Sequence, residues 1–119
     1  MGNPVGAVMG LLAATLGPDS LTVIQPGPTD AHGDPAGPDA RALVAGCQVQ
    51  PAGSTENNDS GDTVTTRMRV YAPAYAPVTA TSRIEWNTLP WDVEGEPQVW
   101  PGPTGAPHHM EFVIVRTTG

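Results

Sequence analysis

The sequence predicts an all-β fold, a small antiparallel β-barrel of about six strands with long loops and a short N-terminal helix. Three observations carry this. Apolar and polar residues alternate with period two in four segments, most cleanly from Thr63 to Tyr71. The fourteen glycines and fourteen prolines fall between apolar runs rather than replacing them, which suits strands joined by loops. At 119 residues the chain fits one domain, and a domain of this size buries about two-thirds of its unfolded surface without disulfides or metal. The expected organisation is an N-terminal apolar helical segment, residues 1–18, followed by a single barrel domain, residues 19–119.

The elements follow in order. Asn3 suits a helix cap, Pro4 a first helical position, and Gly17-Pro18 a stop. Between them Val5, Val8, Met9, Leu12 and Leu16 repeat at helical spacing. Gly6 and Gly10 each cost about 1 kcal/mol against alanine, so the helix needs a partner surface. That partner is either its own barrel or a neighbouring chain.

Leu21 to Ile24 reads as the first strand, and Pro26 to Ala40, with four prolines, three glycines and three aspartates, as an exposed loop. Arg41 to Val49 is the second strand, with Leu43, Ala45, Cys47 and Val49 expected on one face. Pro51 to Asp62 reads as a second long polar loop. In the third strand Val64, Met68 and Val70 face inward, while Arg67 and Arg69 face outward. Ser82, Ile84 and Trp86 form the inner face of a fourth strand, whose outer charges Arg83 and Glu85 are expected to pair with Arg67 and Arg69.

Trp91 and Val93 mark a short fifth strand that Gly95 and Pro97 bend or end, with Val99 and Trp100 extending it beyond a bulge. In the sixth, His109 to Arg116, Phe112 and Ile114 belong with Met110 on one face, and Val113 and Val115 on the other. The expected core is therefore Val64, Met68, Val70, Ile84, Trp86, Trp91, Val93, Phe112 and Ile114. A strand apolar on both faces is unusual in an antiparallel sheet with one wet side. The helix or another subunit must cover Val113 and Val115.

Charge narrows the function. There is no lysine, and five Lys plus Arg residues face twelve acidic ones, for a net charge of -7. Gripping DNA requires clusters of cations to neutralise phosphates, and this chain has none. Val5 to Leu16 lacks a basic leader and is too short for the roughly 30 Å hydrocarbon core of a bilayer, so no membrane association is expected. The single cysteine, Cys47, allows no intrachain bridge and reads as a small buried hydrophobe.

Catalytic constellations are scarce, and no enzymatic activity is expected. No Walker loop, G-x-G-x-x-G or G-x-S-x-G elbow occurs. His108, His109 and Glu111 form the best metal candidate, but adjacent strand residues point to opposite faces. Only His109 and Glu111 share one, and His32 would have to supply another ligand. Asp30, Asp34 and Asp39 do not match calcium-loop spacing. No metal and no cofactor is expected. Trp86 and Trp91 fall on inward phases, and Trp100 is less constrained. A tryptophan platform for a glycan or small ligand is the alternative from a different class.

One resemblance sharpens this reading. Val44-Ala45-Gly46-Cys47-Gln48-Val49-Gln50-Pro51 is followed by Thr66-Arg67-Met68-Arg69-Val70-Tyr71-Ala72-Pro73, then Ser82-Arg83-Ile84-Glu85-Trp86. Trp91-Asp92-Val93-Glu94-Gly95-Glu96-Pro97 and His108-His109-Met110-Glu111-Phe112 complete the series. In order and spacing these segments, about residues 41–116, resemble the phage head-tail joining family, also called head closure or head-to-tail stopper proteins. The N-terminal helix precedes the point where shorter relatives begin, and the Pro26–Ala40 loop departs from the pattern.

The resemblance implies a structural virion protein at the head-tail interface of a long-tailed bacteriophage, assembled in the host cytoplasm. It implies a homo-oligomeric ring of six or twelve copies, with a portal or adaptor ring above and a tail terminator or tail tube below. Double-stranded DNA passes through its lumen without specific binding. A tail terminator or adaptor ring of the same virion follows from the same logic. The implied gate is the loop after the second strand: Gly53, Ser54, Thr55, Glu56, Asn57, Asn58, Asp59, Ser60, Gly61 and Asp62. Small polar residues permit rearrangement, and carboxylates repeated around a lumen repel phosphate. The expected subunit interface is Val5, Val8, Met9, Leu12, Leu16, Val113 and Val115.

Overall fold

Each segment of alternating polarity becomes a strand. The computed structural model describes residues 16–57 and 63–118. In chain order the strands are β1 (Asp19–Gln25), β2 (Ala40–Asn57), β3 (Thr63–Pro73), β4 (Arg83–Trp86), β5 (Leu89–Pro101) and β6 (Pro107–Thr118). They close a barrel in the order β1-β2-β3-β6-β5-β4, every pair antiparallel. Within the barrel, closure leaves no free sheet edge. Residues 1–15, and with them the expected helix and Val5, Val8, Met9 and Leu12, lie outside the described residues.

The core is assembled by register. Val23 pairs with Ile84, and Ile84 with Trp91. Val93 pairs with Ile114, and Ile114 with Met68. Val49 pairs with Val70, and Val70 with Phe112. These residues stack inside the closed wall, where Ile84, Val70 and Ile114 are fully buried. Each large aliphatic side chain so enclosed contributes about 1.5–3 kcal/mol. Trp86 is half-buried against the core and tilted on Trp91, ring centroids 5.7 Å apart. Val64 is half-buried and outside the core cluster, because it sits where β3 runs past the closed barrel.

The second strand departs from simple alternation. Leu43 is 76% exposed, whereas Val44, Cys47 and Val49 are buried. Gly46 is the cause. Its φ of 74° creates a bulge where Asp19 faces Cys47 but Leu21 faces Val44. One extra residue on β2 reverses the side-chain phase, so Leu43 and Ala45 do not share a face with Cys47 and Val49. A second bulge, with Gly95 at φ 77°, lets β5 continue past Glu94 to Pro101.

Outside the barrel, ion pairs bridge across an intervening strand. Arg67 on β3 reaches Glu94 on β5 at 3.1 Å, passing over β6. Val113 and Val115 lie on that outer face, each between an arginine and an acid: Arg69 and Glu94 flank Val113, Arg67 and Asp92 flank Val115. Both valines are half-buried, because the aliphatic stems of these side chains cover part of the apolar surface. Glu85 bonds Arg41 rather than Arg67 or Arg69, since β4 lies between β1 and β5 and never meets β3.

Candidate functional site

The polar stretch after the second barrel strand is not simply a loop. β2 continues through Pro51 to Asn57, paired with Thr63 to Met68 of β3. Gly53, Ser54, Thr55, Glu56 and Asn57 are therefore strand residues. Asn58, Asp59, Ser60, Gly61 and Asp62 lie outside the described residues. The sequence signal was lost because a run of small polar residues has no apolar alternation to report.

Local features explain how such a strand survives. β1 pairs with β2 only as far as Cys47, so among the described residues β2 beyond that point has one strand neighbour, β3. Proline is tolerated on such an edge, where a missing N–H removes no ladder bond, and Pro51 stands there. Between Pro51 and Gly53 the register shifts by one residue, with Gly53 at φ 126°. This bulge bends the hairpin where it leaves the barrel. At the departure point, Asp19 Oδ2 accepts a hydrogen bond of 2.9 Å from the Val49 N–H.

On the opposite side of β3 the wall also opens. β6 pairs with β5 up to Val115 and then follows β3 alone through Thr118. β2, β3 and β6 thus form a three-stranded arm extending the barrel wall. Among the described residues, both its edges are unpaired: β2 beyond Gln50, and β6 from Arg116 to Thr118.

A groove of about 450 Å3 crosses the outer face of the same three strands, lined by Leu16, Gln48, Gln50, Tyr71, His108, His109 and Glu111. Leu16, placed in the interface by sequence, is half-buried here. His109 Nε2 lies 2.8 Å from Glu111 Oε2, and Arg69 approaches the other carboxylate oxygen at 3.8 Å. A carboxylate only accepts, so His109 Nε2 carries the proton.

The His108 ring is not turned away. It meets His109 edge-to-face with the two Nδ1 atoms 3.0 Å apart, at the end of the hairpin that the Trp100/Pro101 register shift twists. His32 sits in the exposed loop between β1 and β2 and is not among the residues lining this groove. Among the described residues, no three His, Cys, Asp or Glu side chains are grouped to hold a metal ion.

The acidic loop between β1 and β2 uses its carboxylates internally. Asp30 Oδ1 accepts from the N–H groups of His32 and Asp34, and Asp39 Oδ1 from that of Gly27. Cys47 is fully enclosed. Burial, and then the negative charge of Asp19, push its thiol up to about 11. Of the tryptophans, only Trp100 is substantially exposed, at 46%. No helix among the described residues is long and apolar enough to cross a membrane. No protein-family model and no curated protein sequence matches the chain.

Proposed function

We propose that this chain is a subunit of a head-to-tail connector ring, closing the DNA channel of a long-tailed phage after packaging and docking the tail. The observation that carries this reading is the β2–β3 hairpin. It is a strand-stiffened arm, rooted in a closed barrel, whose polar end bears Glu56, Asp59 and Asp62. A strand-paired stem suits a gate, because it fixes where the polar segment that follows it begins.

In this reading the ring contains six or twelve copies, lies against a portal or adaptor ring, and receives a tail terminator or tail tube on its other face. The lumen acts by shape and repulsion. Carboxylates lining it hold DNA back, or let it slide without adhering. The absence of lysine and the net charge of -7 support passage without binding.

Deleting residues 54–61 and packaging DNA tests the gate. Filled heads are expected to lose their genome before tail attachment, while the barrel still assembles. Retention equal to wild type contradicts the gate. A terminator or adaptor position in the same virion is separated from this one by where the ring sits.

A further inference from the structure

We infer that His108 and His109 form a chelating site for a square-planar divalent transition-metal ion, copper(II) or nickel(II), at the end of the β5–β6 hairpin. The site is independent of the connector reading.

A bulge makes it. Trp100 pairs with His109, but the next rung joins Pro101 to Pro107, so His108 is one residue more than β5 can match. On a regular strand, alternation would send these two neighbours to opposite faces. An extra residue breaks the alternation and re-aims a side chain, a device that recurs beside functional sites. Here it brings two consecutive imidazoles together, edge to face, with centroids 5.2 Å apart and Nδ1 atoms 3.0 Å apart. The turn behind them is closed by bonds from the Gly102 N–H to the Ala106 carbonyl at 2.8 Å and from the Gly105 N–H to the Gly102 carbonyl at 2.9 Å.

The separation selects the ion. With metal–imidazole bonds of about 2.0–2.1 Å, donors 3.0 Å apart subtend about 90–95° at the metal. A tetrahedral ion such as zinc(II) would need donors about 3.3–3.4 Å apart at the same bond length. A right angle suits square-planar copper(II) or nickel(II), and copper(II) is the tightest binder of the first-row divalent series.

The protons are arranged for ligation. Glu111 Oε2 accepts from His109 Nε2 at 2.8 Å, which leaves Nδ1 of the neutral ring as a base. A carboxylate on the far nitrogen fixes a ligating imidazole in place and raises its basicity. Glu111 is itself steadied by Arg69 at 3.8 Å, and Tyr71 flanks His109 with ring centroids 6.1 Å apart. His108 Nδ1 then donates to His109 Nδ1. The ion takes the place of that shared proton, and His108 carries its proton on Nε2 instead, so neutral rings release none. The adjoining groove, lined also by Gln48 and Gln50, leaves room for water in the other coordination positions.

Titrating copper(II) chloride into the full chain, followed by calorimetry and electron paramagnetic resonance, tests this. One ion is expected to bind with a tetragonal spectrum whose nitrogen modulation counts two imidazoles. His108→Ala and His109→Ala should each leave one imidazole and weaken binding. Glu111→Ala, which removes a positioning residue, is expected to cost about 10–100-fold in affinity while both imidazoles remain. Glu111→Gln should recover part of this, because its amide oxygen still accepts from Nε2. His32→Ala, in the β1–β2 loop, should change nothing.

A wild-type spectrum with one imidazole or none overturns the site, and this count needs no variant to fold. Copper affinity unchanged in His108→Ala overturns it as well. Zinc(II) bound as tightly as copper(II) through both rings overturns the square-planar geometry.

Discussion

Asp19 accepts a hydrogen bond from the backbone N–H of Val49 at the point where β2 parts from β1. Beyond Cys47 there is no β1 backbone left to pair with, and a side chain from the first residue of β1 substitutes for it. The barrel ends there and the arm begins. One carboxylate therefore anchors the root of the hairpin.

Replacing Asp19 by Ala leaves the part-buried Val49 N–H without its acceptor. The expected cost is about 1–3 kcal/mol of unfolding free energy in chemical denaturation, and Asp19→Asn recovers part of it. Removing the charge also lowers the Cys47 thiol from its raised position, since Asp19 is one of its two causes. A denaturation midpoint equal to wild type would show that the arm needs no such anchor.

Cys47 makes stability fall in alkali. Its folded pKa, about 11, stands above the ordinary thiol value of 9.0, so the buried thiol favours the protonated form. The stabilisation is complete below pH 9 and is lost as pH rises through 11. A two-unit shift is worth about 2–3 kcal/mol. With no lysine in the chain, few other groups titrate in this window. Cys47→Ala should flatten the slope of unfolding free energy between pH 9 and 11, and an unchanged slope would place its origin elsewhere.

The turn between β4 and β5 is improvable. Asn87 and Thr88 have φ of 55° and 63°, the two positive values of a tight hairpin turn. Threonine is a poor occupant of that conformation, because its branched Cβ crowds the backbone. Thr88→Gly, giving an Asn-Gly turn, is expected to raise stability by about 1 kcal/mol, measured by thermal or urea unfolding. A loss would mean that the hydrogen bond from Thr88 Oγ1 to the Asn87 carbonyl outweighs the strain.

Iodide should quench one tryptophan of three. Trp91 is 5% exposed and packed on Trp86, whereas Trp100 is 46% exposed. Trp100→Phe is expected to remove most of the quenchable fluorescence. The exposed ring also offers the only tryptophan platform for a glycan, so a sugar-induced emission shift lost in Trp100→Phe would favour a ligand-binding module over the ring.

Much of the barrel was legible in the sequence, because a wall wet on one side leaves a period-two record. Val70, Ile84, Trp91, Phe112 and Ile114 were placed inward by that record and are buried. Leu43 was misplaced because a bulge reverses phase without changing composition, although a glycine inside a strand is the available warning. Val44 was missed in the core for the same reason. The strand through Gly53–Asn57 was hidden by its polarity. Arg41–Glu85 and Arg67–Glu94 could not be foreseen, because strand order around a barrel is not written in any local pattern. The doubly apolar β6 suggested a missing partner, and Arg67 and Glu94 partly supply it from within the chain.

The proposed connector role is tested most directly by locating this chain in a cryo-EM reconstruction of phage particles. The expected density is a ring between portal and tail, with the β2–β3 tips directed into the DNA channel. A ring whose tips face outward, or a chain located away from the head-tail junction, would contradict the connector and its gate.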